Sequence, residues 1–236
     1  GNWELCLADG SGMDGFDGER FSEKVRRYQE EDGRILYTRL SENLGIAGNT
    51  NAALAMASGD YIVLLDHDDT LSEDALYECA LRIDREAEEG RRAQVLYSDE
   101  DKLTARRGRA FYFDAHFKPD FNPDLLRSMN YISHLFVAER ELVKAVGGFR
   151  PEFDGSQDYD FIFRCTEEAE VICHIPKVLY HWRVNEGSTA EDPEKKLYAF
   201  EAGARAIQAH CERVGIGAVE VEENEDTLLV RRSGSL

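Results

Sequence analysis

The segment Tyr61–Leu71, YIVLLDHDDTL, constrains the fold of this chain more than any other. An apolar run ends there at an acidic group formed by Asp66, Asp68 and Asp69. A short run that is apolar on both faces predicts a buried strand inside a sheet. Like charges repel one another, so several carboxylates at one strand end need a functional reason. The segment therefore predicts a strand whose C-terminal end carries a site.

Strand and helix patterns alternate over the first hundred residues. We expect strands at Trp3–Ala8, Ile35–Leu40, Tyr61–Leu65 and Val95–Tyr97, and helices at Phe21–Glu31 and Asn51–Ala57. A third helix is expected before Gly90, with Thr70 and Glu73 at capping-box spacing near its start. Such alternation is typical of a largely parallel sheet with ligand sites at the C-terminal ends of its strands.

The second half of the chain is less regular. Residues 104–130 read as long connections. Further elements are expected as short strands at His134–Ala138, Val171–Ile175 and Val178–Trp182, helices at Glu139–Val146 and Asp158–Glu168, a helix starting at Asp192-Pro193, and a hairpin over Val219–Val230. We find no repeat or linker, so we predict one domain over residues 1–236.

The charge balance limits the partners. Lys and Arg number 28 against 47 Asp and Glu, a net charge of −19. A field of that sign repels nucleic acid and anionic membrane surfaces, and we expect no nucleic-acid partner. An anionic nucleotide would bind only with local help from a metal ion or backbone N–H groups.

Cysteine usage and hydropathy suggest a compartment. The five cysteines are scattered and form no CxxC motif, which argues against a disulfide framework or zinc knuckle. No apolar run is long enough to span a bilayer, and no signal peptide is evident. We expect a cytoplasmic protein without a transmembrane segment, attached if at all to the inner membrane face through partners.

Two enzyme families have a group of acidic residues of this kind after an apolar strand. Asp66, Asp68, Thr70 and Leu71 match DxDxT-Leu, which resembles motif I of haloacid-dehalogenase-type phosphatases. That resemblance implies Asp66 as nucleophile and Asp68 as general acid. In that family the motif follows the first strand, whereas here two strand–helix units precede it, and we find no convincing downstream lysine and acidic pair.

The second resemblance covers roughly residues 3–190. From Glu42 the chain reads ENLGIAGNTNAALAMASGDYIVLLDHDDTLSEDAL, followed by FKPDFNPDLLRSMNYISHLFVAERELVKAVGGFRPEFDGSQDYDFIFR and VLYHWRVNEGSTA. These blocks resemble inverting family 2 glycosyltransferases of the GT-A fold that act on bacterial surface polysaccharides. The resemblance implies an α/β fold in which helices flank a mixed, mainly parallel sheet.

The resemblance also implies the reaction. A sugar would pass from a nucleotide-sugar donor to a saccharide or lipid-linked saccharide acceptor by metal-dependent, inverting displacement. Residues 1–103 would form the nucleotide-sugar half, residues 104–190 the acceptor and catalytic half, and residues 191–236 a C-terminal helix and hairpin. Mn²⁺ or Mg²⁺ held by an Asp-x-Asp carboxylate would neutralise the diphosphate leaving group.

Roles for individual residues follow from the same resemblance. Asp68 is expected as the main metal ligand, joined by His181. Contacts with the donor are expected from Asp9, Asn51, Asp66 and Arg183, with Asp66 placed at either the ribose or the metal. Asp158 aligns with the catalytic base, with Asp160 as its fallback. His134 is interpreted as structural, and the aromatic residues Phe111, Tyr112, Phe113 and Phe117 as packing rather than a sugar-stacking platform.

The chain departs from the family pattern in three places. The family's first strand is absent from this sequence, Gly10 follows Asp9 where a second aspartate is usual, and Thr50 stands where many members carry arginine. An alternative is therefore a non-catalytic, glycosyltransferase-like binding module. The opening in mid-pattern also suggests other domains in a larger protein.

Overall fold

The computed structural model describes residues 2–11, 16–106, 108–184, 193–224 and 227–232, and it has a mixed α/β fold. The first elements are β1 (Leu5–Asp9), α1 (Phe16–Glu31), β2 (Ile35–Arg39), α2 (Gly45–Met56), β3 (Tyr61–Val63), β4 (Thr70–Leu71) and α3 (Ala75–Glu88). They are followed by β5 (Val95–Arg106), β6 (Arg109–His116), α4 (Pro123–Ser128), β7 (Phe136–Glu139), α5 (Arg140–Val146), α6 (Gln157–Glu168), β8 (Ile172–Arg183), α7 (Pro193–Arg213), β9 (Val219–Asn224) and β10 (Thr227–Arg232).

The strands form three sheets. β1 and β2 make a parallel pair, and β9 and β10 an antiparallel hairpin. The remaining strands run in the order β3-β7-β5-β8-β4, with β6 added beside β5. β5 and β8 are parallel, and the other pairings in this sheet are antiparallel. The expected mixed sheet flanked by helices is therefore confirmed.

β3 lies at one end of the six-stranded order rather than inside it. Its apolar pattern arises because both faces are covered. Ile62 and Leu64 pack into one hydrophobic cluster, while Tyr61 and Val63 pack against another. Apolar residues on both faces of a strand indicate that other elements pack above and below it. They do not indicate whether the strand has neighbouring strands on both edges.

Three local expectations were wrong. The helix expected at Asn51–Ala57 begins earlier, at Gly45, and its Ala47 N–H donates to the distant Asp154 carboxylate at 3.0 Å. Thr70 is not a helix cap, because it pairs with His181 in a strand. Residues 109–116 are not a connection but strand β6, which the sequence concealed because most of its side chains are exposed and show no alternation.

The two short strands expected after Val171 form one long strand, β8. Pro176 interrupts the sequence pattern but not the strand, since the register with β5 shifts there: Ile175 pairs with Ser98 and Val178 with Asp99. Proline is tolerated at such an irregularity because no ladder hydrogen bond is required of it. The expected hairpin near the C-terminus is confirmed as β9 and β10. Asp192 lies outside the described residues.

The core positions the start of α6. The fully buried side chains of Phe161, Ile162 and Phe163 anchor this helix in the larger hydrophobic cluster. Its first turn, which carries Asp158, is thereby fixed relative to the sheet. In the described part of the chain, no helix combines the length and apolar character needed to cross a bilayer.

Candidate functional site

The acidic turn after β3 is held against the end of β8. The N–H of Asp69 donates to the carbonyl of Asp66 at 3.2 Å, which closes the turn. The next residues, Thr70 and Leu71, pair with His181 and Tyr180. This pairing brings two segments more than 100 residues apart in sequence into contact at one edge of the sheet.

Asp66, Asp69 and His134 form a cluster of metal-ligating groups. One ligand atom from each lies within 4.8 Å of the others. The His134 ring lies 3.9 Å from the Asp66 carboxylate, measured from Nε2 to Oδ2. Among the described residues no other group of three or more such side chains meets this spacing. His134, which was interpreted as structural, is thus part of the site.

Tyr180 connects all three members of this cluster. Its hydroxyl donates to Oδ2 of Asp69 at 2.6 Å and accepts from the backbone N–H of Asp66 at 3.2 Å. Its ring stacks on His134, with centroids 4.5 Å apart. Burial raises the pKa of Tyr180 well above its ordinary value, so the hydroxyl remains a donor. Tyr180 carries no motif from which this role could be predicted in the sequence.

Arg183 also binds the turn that contains Asp68 and Asp69. Its backbone N–H donates to Oδ1 of Asp69 at 2.7 Å, and its Nε donates to the carbonyl of Asp68 at 2.5 Å. The carboxylate of Asp69 therefore receives one hydrogen bond on each oxygen. Such bonds orient a carboxylate while leaving a lone pair on each oxygen for a further partner.

The electrostatics of Asp66 reflect its crowded surroundings. The pKa of its carboxyl group is raised, first by burial among neighbouring atoms and then by the charges of Asp69, Asp158 and Asp68, against the opposing charge of His134. Its side chain nevertheless keeps 62% of its surface exposed, so a ligand can reach it. A nearby cation would relieve the repulsion among these carboxylates.

Asp158 lies in the first turn of α6, and its charge contributes to the raised pKa of Asp66. The side-chain N–H of Asn130 donates to Oδ2 of Asp158 at 2.8 Å, and the side-chain oxygen Oδ1 of Asn130 accepts from the Ser133 N–H. Asn130 was not identified from the sequence. Its contact orients one carboxylate oxygen of Asp158 and leaves the other for a further partner.

Asp160 has a different environment from Asp158. It is fully buried, and its carboxylate is bound by the guanidinium groups of Arg150 and Arg164, the latter at 2.9 Å through Nε. The pair with Arg164 lies within α6, and the pair with Arg150 joins α6 to the segment before it. An acid bound in this way is part of the core, so the structure argues against the fallback base.

Asp68 and His181 do not belong to the three-residue cluster. Nδ1 of His181 lies 2.6 Å from Oδ1 of Asp101, and its ring lies 4.5 Å from that of Tyr112. The cluster thus contains Asp66, expected at the ribose or the metal, but neither Asp68 nor His181, whose ligation stays a prediction.

The expected donor contacts Asp9 and Asn51 already have protein partners. Asp9 accepts hydrogen bonds from Ser11 at 2.9 Å and from the Tyr37 hydroxyl at 2.7 Å. Burial acts to raise the pKa of Asp9, but these bonds outweigh it and the pKa is lowered. The Asn51 amide pairs with both backbone groups of Phe149, at 2.7 and 2.8 Å. Their contacts with a donor stay predictions.

Lys118 is a further buried group beside the site. Its Nζ donates to the carbonyl of Ile132 at 2.7 Å and contacts the carbonyl of His134. Burial lowers its pKa to about 8, against the opposing effect of Glu100, whose carboxylate lies 3.6 Å away. Lys118 thus holds the segment that presents His134.

The sequence matches a known family. Residues 1–147 match the family model described as "Glycosyl transferase family 2". A protein from Sinorhizobium fredii, "Uncharacterized protein y4gI", is 44% identical over 214 residues, which cover 90% of this chain and 22% of that protein. "O-antigen biosynthesis protein RfbC" of Myxococcus xanthus is 36% identical over 217 residues, which cover 92% of this chain and 16% of that protein. The chain therefore spans about a fifth of the length of these relatives.

A solved structure shares the fold. TarS 1-349 of S. aureus, in complex with UDP-GlcNAc, aligns with a TM-score of 0.59 and 19% identity, covering 89% of this chain and 64% of that chain. The expected GT-A-like fold is confirmed. The family match also favours the glycosyltransferase interpretation of the Asp66–Thr70 segment over the phosphatase interpretation.

Proposed function

Because the chain belongs to glycosyl transferase family 2, we propose that its strand-end site transfers a sugar from a nucleotide-sugar donor to a saccharide acceptor. The similarity to an O-antigen biosynthesis protein supports a place in cell-surface polysaccharide synthesis. The similarity to the fold of a UDP-GlcNAc complex supports a nucleotide sugar as the donor.

The cluster of Asp66, Asp69 and His134 is the observation that carries the proposal. Its two carboxylates and one imidazole match the ligand preferences of Mn²⁺, and the carboxylates also suit Mg²⁺. The ligand atoms lie close enough together to share one ion. When bound, such an ion supplies positive charge to the diphosphate leaving group. We therefore propose Asp66, Asp69 and His134 as the metal ligands of this chain.

The surrounding residues keep the proposed ligands in place. Tyr180 and Arg183 hold the Asp69 carboxylate from two directions, while Lys118 holds the backbone at His134. Partners of this kind around ligating groups fix their orientation. The donor's diphosphate would bind on the open side of Asp66.

Asp158 is the proposed base. The acceptor hydroxyl would attack the anomeric carbon, the bond from that carbon to the diphosphate oxygen would break, and the hydroxyl proton would pass to Asp158. The leaving electrons would remain on the diphosphate. The position of Asp158 at the start of a buried helix, with one oxygen bound by Asn130, supports this role.

Calorimetry with UDP, dTDP and GDP, each with and without Mn²⁺, tests the donor site. Asp66→Asn removes a charge from the cluster, and Asp68→Asn removes one from a neighbour outside it. We expect Mn²⁺-dependent affinity for the preferred nucleotide to fall at least about tenfold in Asp66→Asn, as for a lost metal contact, and much less in Asp68→Asn.

The reverse order of the two variants would assign the metal to Asp68, as the sequence resemblance implied. Absence of nucleotide binding in every condition, on a chain extended to the length of its relatives, would overturn the proposed enzyme. It would favour a non-catalytic binding module instead.

A further inference from the structure

Strands β5, β6 and β8 present an exposed face of aromatic and cationic side chains. Lys102 of β5 pairs in register with both Trp182 of β8 and Phe113 of β6. Residues opposite one another in a sheet point to the same side, as do residues two apart along a strand. The following side chains therefore share one side of the sheet and are called the aromatic face: Lys102, Arg106, Arg109, Phe111, Phe113 and Trp182.

The members of the aromatic face contact one another. The guanidinium of Arg106 lies 4.1 Å from the ring centre of Phe111, and Nζ of Lys102 lies 5.8 Å from that of Trp182. The rings of Phe111 and Phe113 stack with centroids 5.9 Å apart. Phe111 remains 39% exposed and Trp182 38% exposed. A contiguous exposed group of large aromatic side chains marks an interaction surface.

The aromatic face lies on the same side of β8 as the side chain of Tyr180, which stands two residues before Trp182 and contacts the candidate site. His181, next to Trp182, points to the other side, where its ring contacts Asp101 and Tyr112. Arg106 stands six residues further along β5 than Glu100, the partner of Tyr180, which places the cationic end of the face roughly 20 Å from the candidate site. The face needs a partner of its own, and this inference goes beyond the proposed transfer reaction.

The charge of this region is opposite to that of the chain. The segment 102–113 contains four cationic residues and no carboxylate, although the chain as a whole has a net charge of −19. Lys102 is neutralised by Asp114 at 2.5 Å, but Arg106 and Arg109 stand at the exposed end of the hairpin. A local cationic field on an acidic protein selects an anionic partner and orients the protein toward it.

We infer that the aromatic face docks on an anionic phospholipid surface. Arginines near such a surface interact with the headgroup phosphates, and tryptophan and phenylalanine rings enter the interfacial layer. A face of three adjacent strands fits a broad surface better than it fits an extended chain in a groove. Docking through the hairpin end of this face would leave the candidate active site, roughly 20 Å away along β5, open to its substrates.

Vesicle co-sedimentation tests the inference with the intact chain. We expect the protein to bind vesicles of phosphatidylcholine with 30% phosphatidylglycerol and not vesicles of phosphatidylcholine alone, and to release as salt is added. The double variant Arg106→Glu/Arg109→Glu should reduce the partition coefficient about 30-fold or more, since each cation near an anionic bilayer contributes about fivefold. Phe111→Ser, which keeps every charge, should reduce it independently.

Arg26→Glu/Arg27→Glu on α1 is the matched control, because it makes the same change in charge at two exposed arginines away from this face. We expect it to retain most of the binding. Equal binding to the two vesicle types, or equal loss in both double variants, would overturn the inference. So would binding of alginate, an anionic polysaccharide, through Arg106 and Arg109 without vesicle binding. Calorimetric nucleotide binding reports on the active site separately, so the two proposals can fail independently.

Discussion

The hydroxyl of Tyr180 donates to Oδ2 of Asp69 at 2.6 Å, while the ring of the same residue stacks on His134. One buried side chain thus orients two of the three groups in the candidate metal cluster. It also accepts a hydrogen bond from the backbone N–H of the third residue, Asp66. The geometry of the cluster therefore depends on a residue that ligates nothing itself.

Tyr180→Phe should separate the hydrogen bonds of the Tyr180 hydroxyl from the stacking of its ring. The ring and its stacking on His134 remain, but the hydrogen bond to Asp69 and the acceptor for the Asp66 N–H are lost. We expect Mn²⁺-dependent nucleotide affinity to fall about 10- to 100-fold, as is usual when a hydrogen bond that orients a ligating group is removed. Calorimetry with the nucleotide preferred by the wild-type protein measures the change.

Tyr61→Phe is the control for this prediction. The Tyr61 hydroxyl also makes a partly buried hydrogen bond, to the carbonyl of Ala93 at 2.7 Å, but in a different part of the sheet. Both variants should lose a similar, small amount of stability, about 1 kcal/mol in urea unfolding. Equal nucleotide affinity in the two variants would show that Tyr180 does not orient the site.

Asp158→Asn should separate catalysis from donor binding. The variant keeps the shape of the side chain and an oxygen for the Asn130 amide, but it cannot accept the acceptor's proton. We expect sugar transfer to fall about 10²- to 10⁴-fold with nucleotide affinity nearly unchanged. The rate of nucleoside diphosphate release from the donor sugar is the readout.

Glu152→Gln provides the comparison for the Asp158 variant, because Glu152 is an exposed acid in the turn just before α6. It should leave both turnover and nucleotide binding unchanged. Loss of nucleotide binding in Asp158→Asn would instead indicate that this carboxylate is needed for the structure of the site.

The acidic residues of the candidate site could be predicted from the sequence, but the residues that contact them from distant segments could not. Asp66 and Asp69 could be recognised because they follow an apolar strand within a few residues. Tyr180 and His134 could not, because each contacts the acidic turn from a segment at least 65 residues away and carries no local motif. A single sequence contains no signal for the pairing of β4 with β8, on which the site depends.

The two acids of α6 illustrate a second limit. Asp158 and Asp160 are two residues apart and therefore point to different sides of the helix. The sequence does contain a signal that Asp160 is structural, since Arg164 stands four residues later at ion-pair spacing. The second partner, Arg150, precedes the helix and could be assigned only from the structure.

Asp160→Asn should destabilise the protein without a direct effect on the site. The substitution leaves Arg150 and Arg164 without their buried counter-charge, which costs about 3–5 kcal/mol. Asp124→Asn also removes a carboxylate from an arginine pair, but that pair is exposed and should contribute little. Urea unfolding of both variants measures the difference. A similar, small loss in the two would contradict the structural role of Asp160.

Lys118 should make the protein more stable as the pH rises above about 8. Its pKa is about 8 in the folded protein because burial disfavours the charged ammonium, and the ordinary value is 10.5. Between these values the unfolded chain binds more protons at this residue than the folded chain, so the free energy of unfolding rises with pH.

The expected rise is on the order of 1 kcal/mol per pH unit, measured as the difference between wild type and Lys118→Met in urea unfolding from pH 8 to pH 10. Taking this difference removes the contributions of tyrosines that titrate in the same range. Lys144→Met, which removes a half-exposed lysine paired with Glu141, is the matched control for the loss of a lysine. Parallel curves for wild type and Lys118→Met would mean that Lys118 keeps its ordinary pKa, and that its buried contacts with Ile132 and His134 hold a fully charged ammonium group.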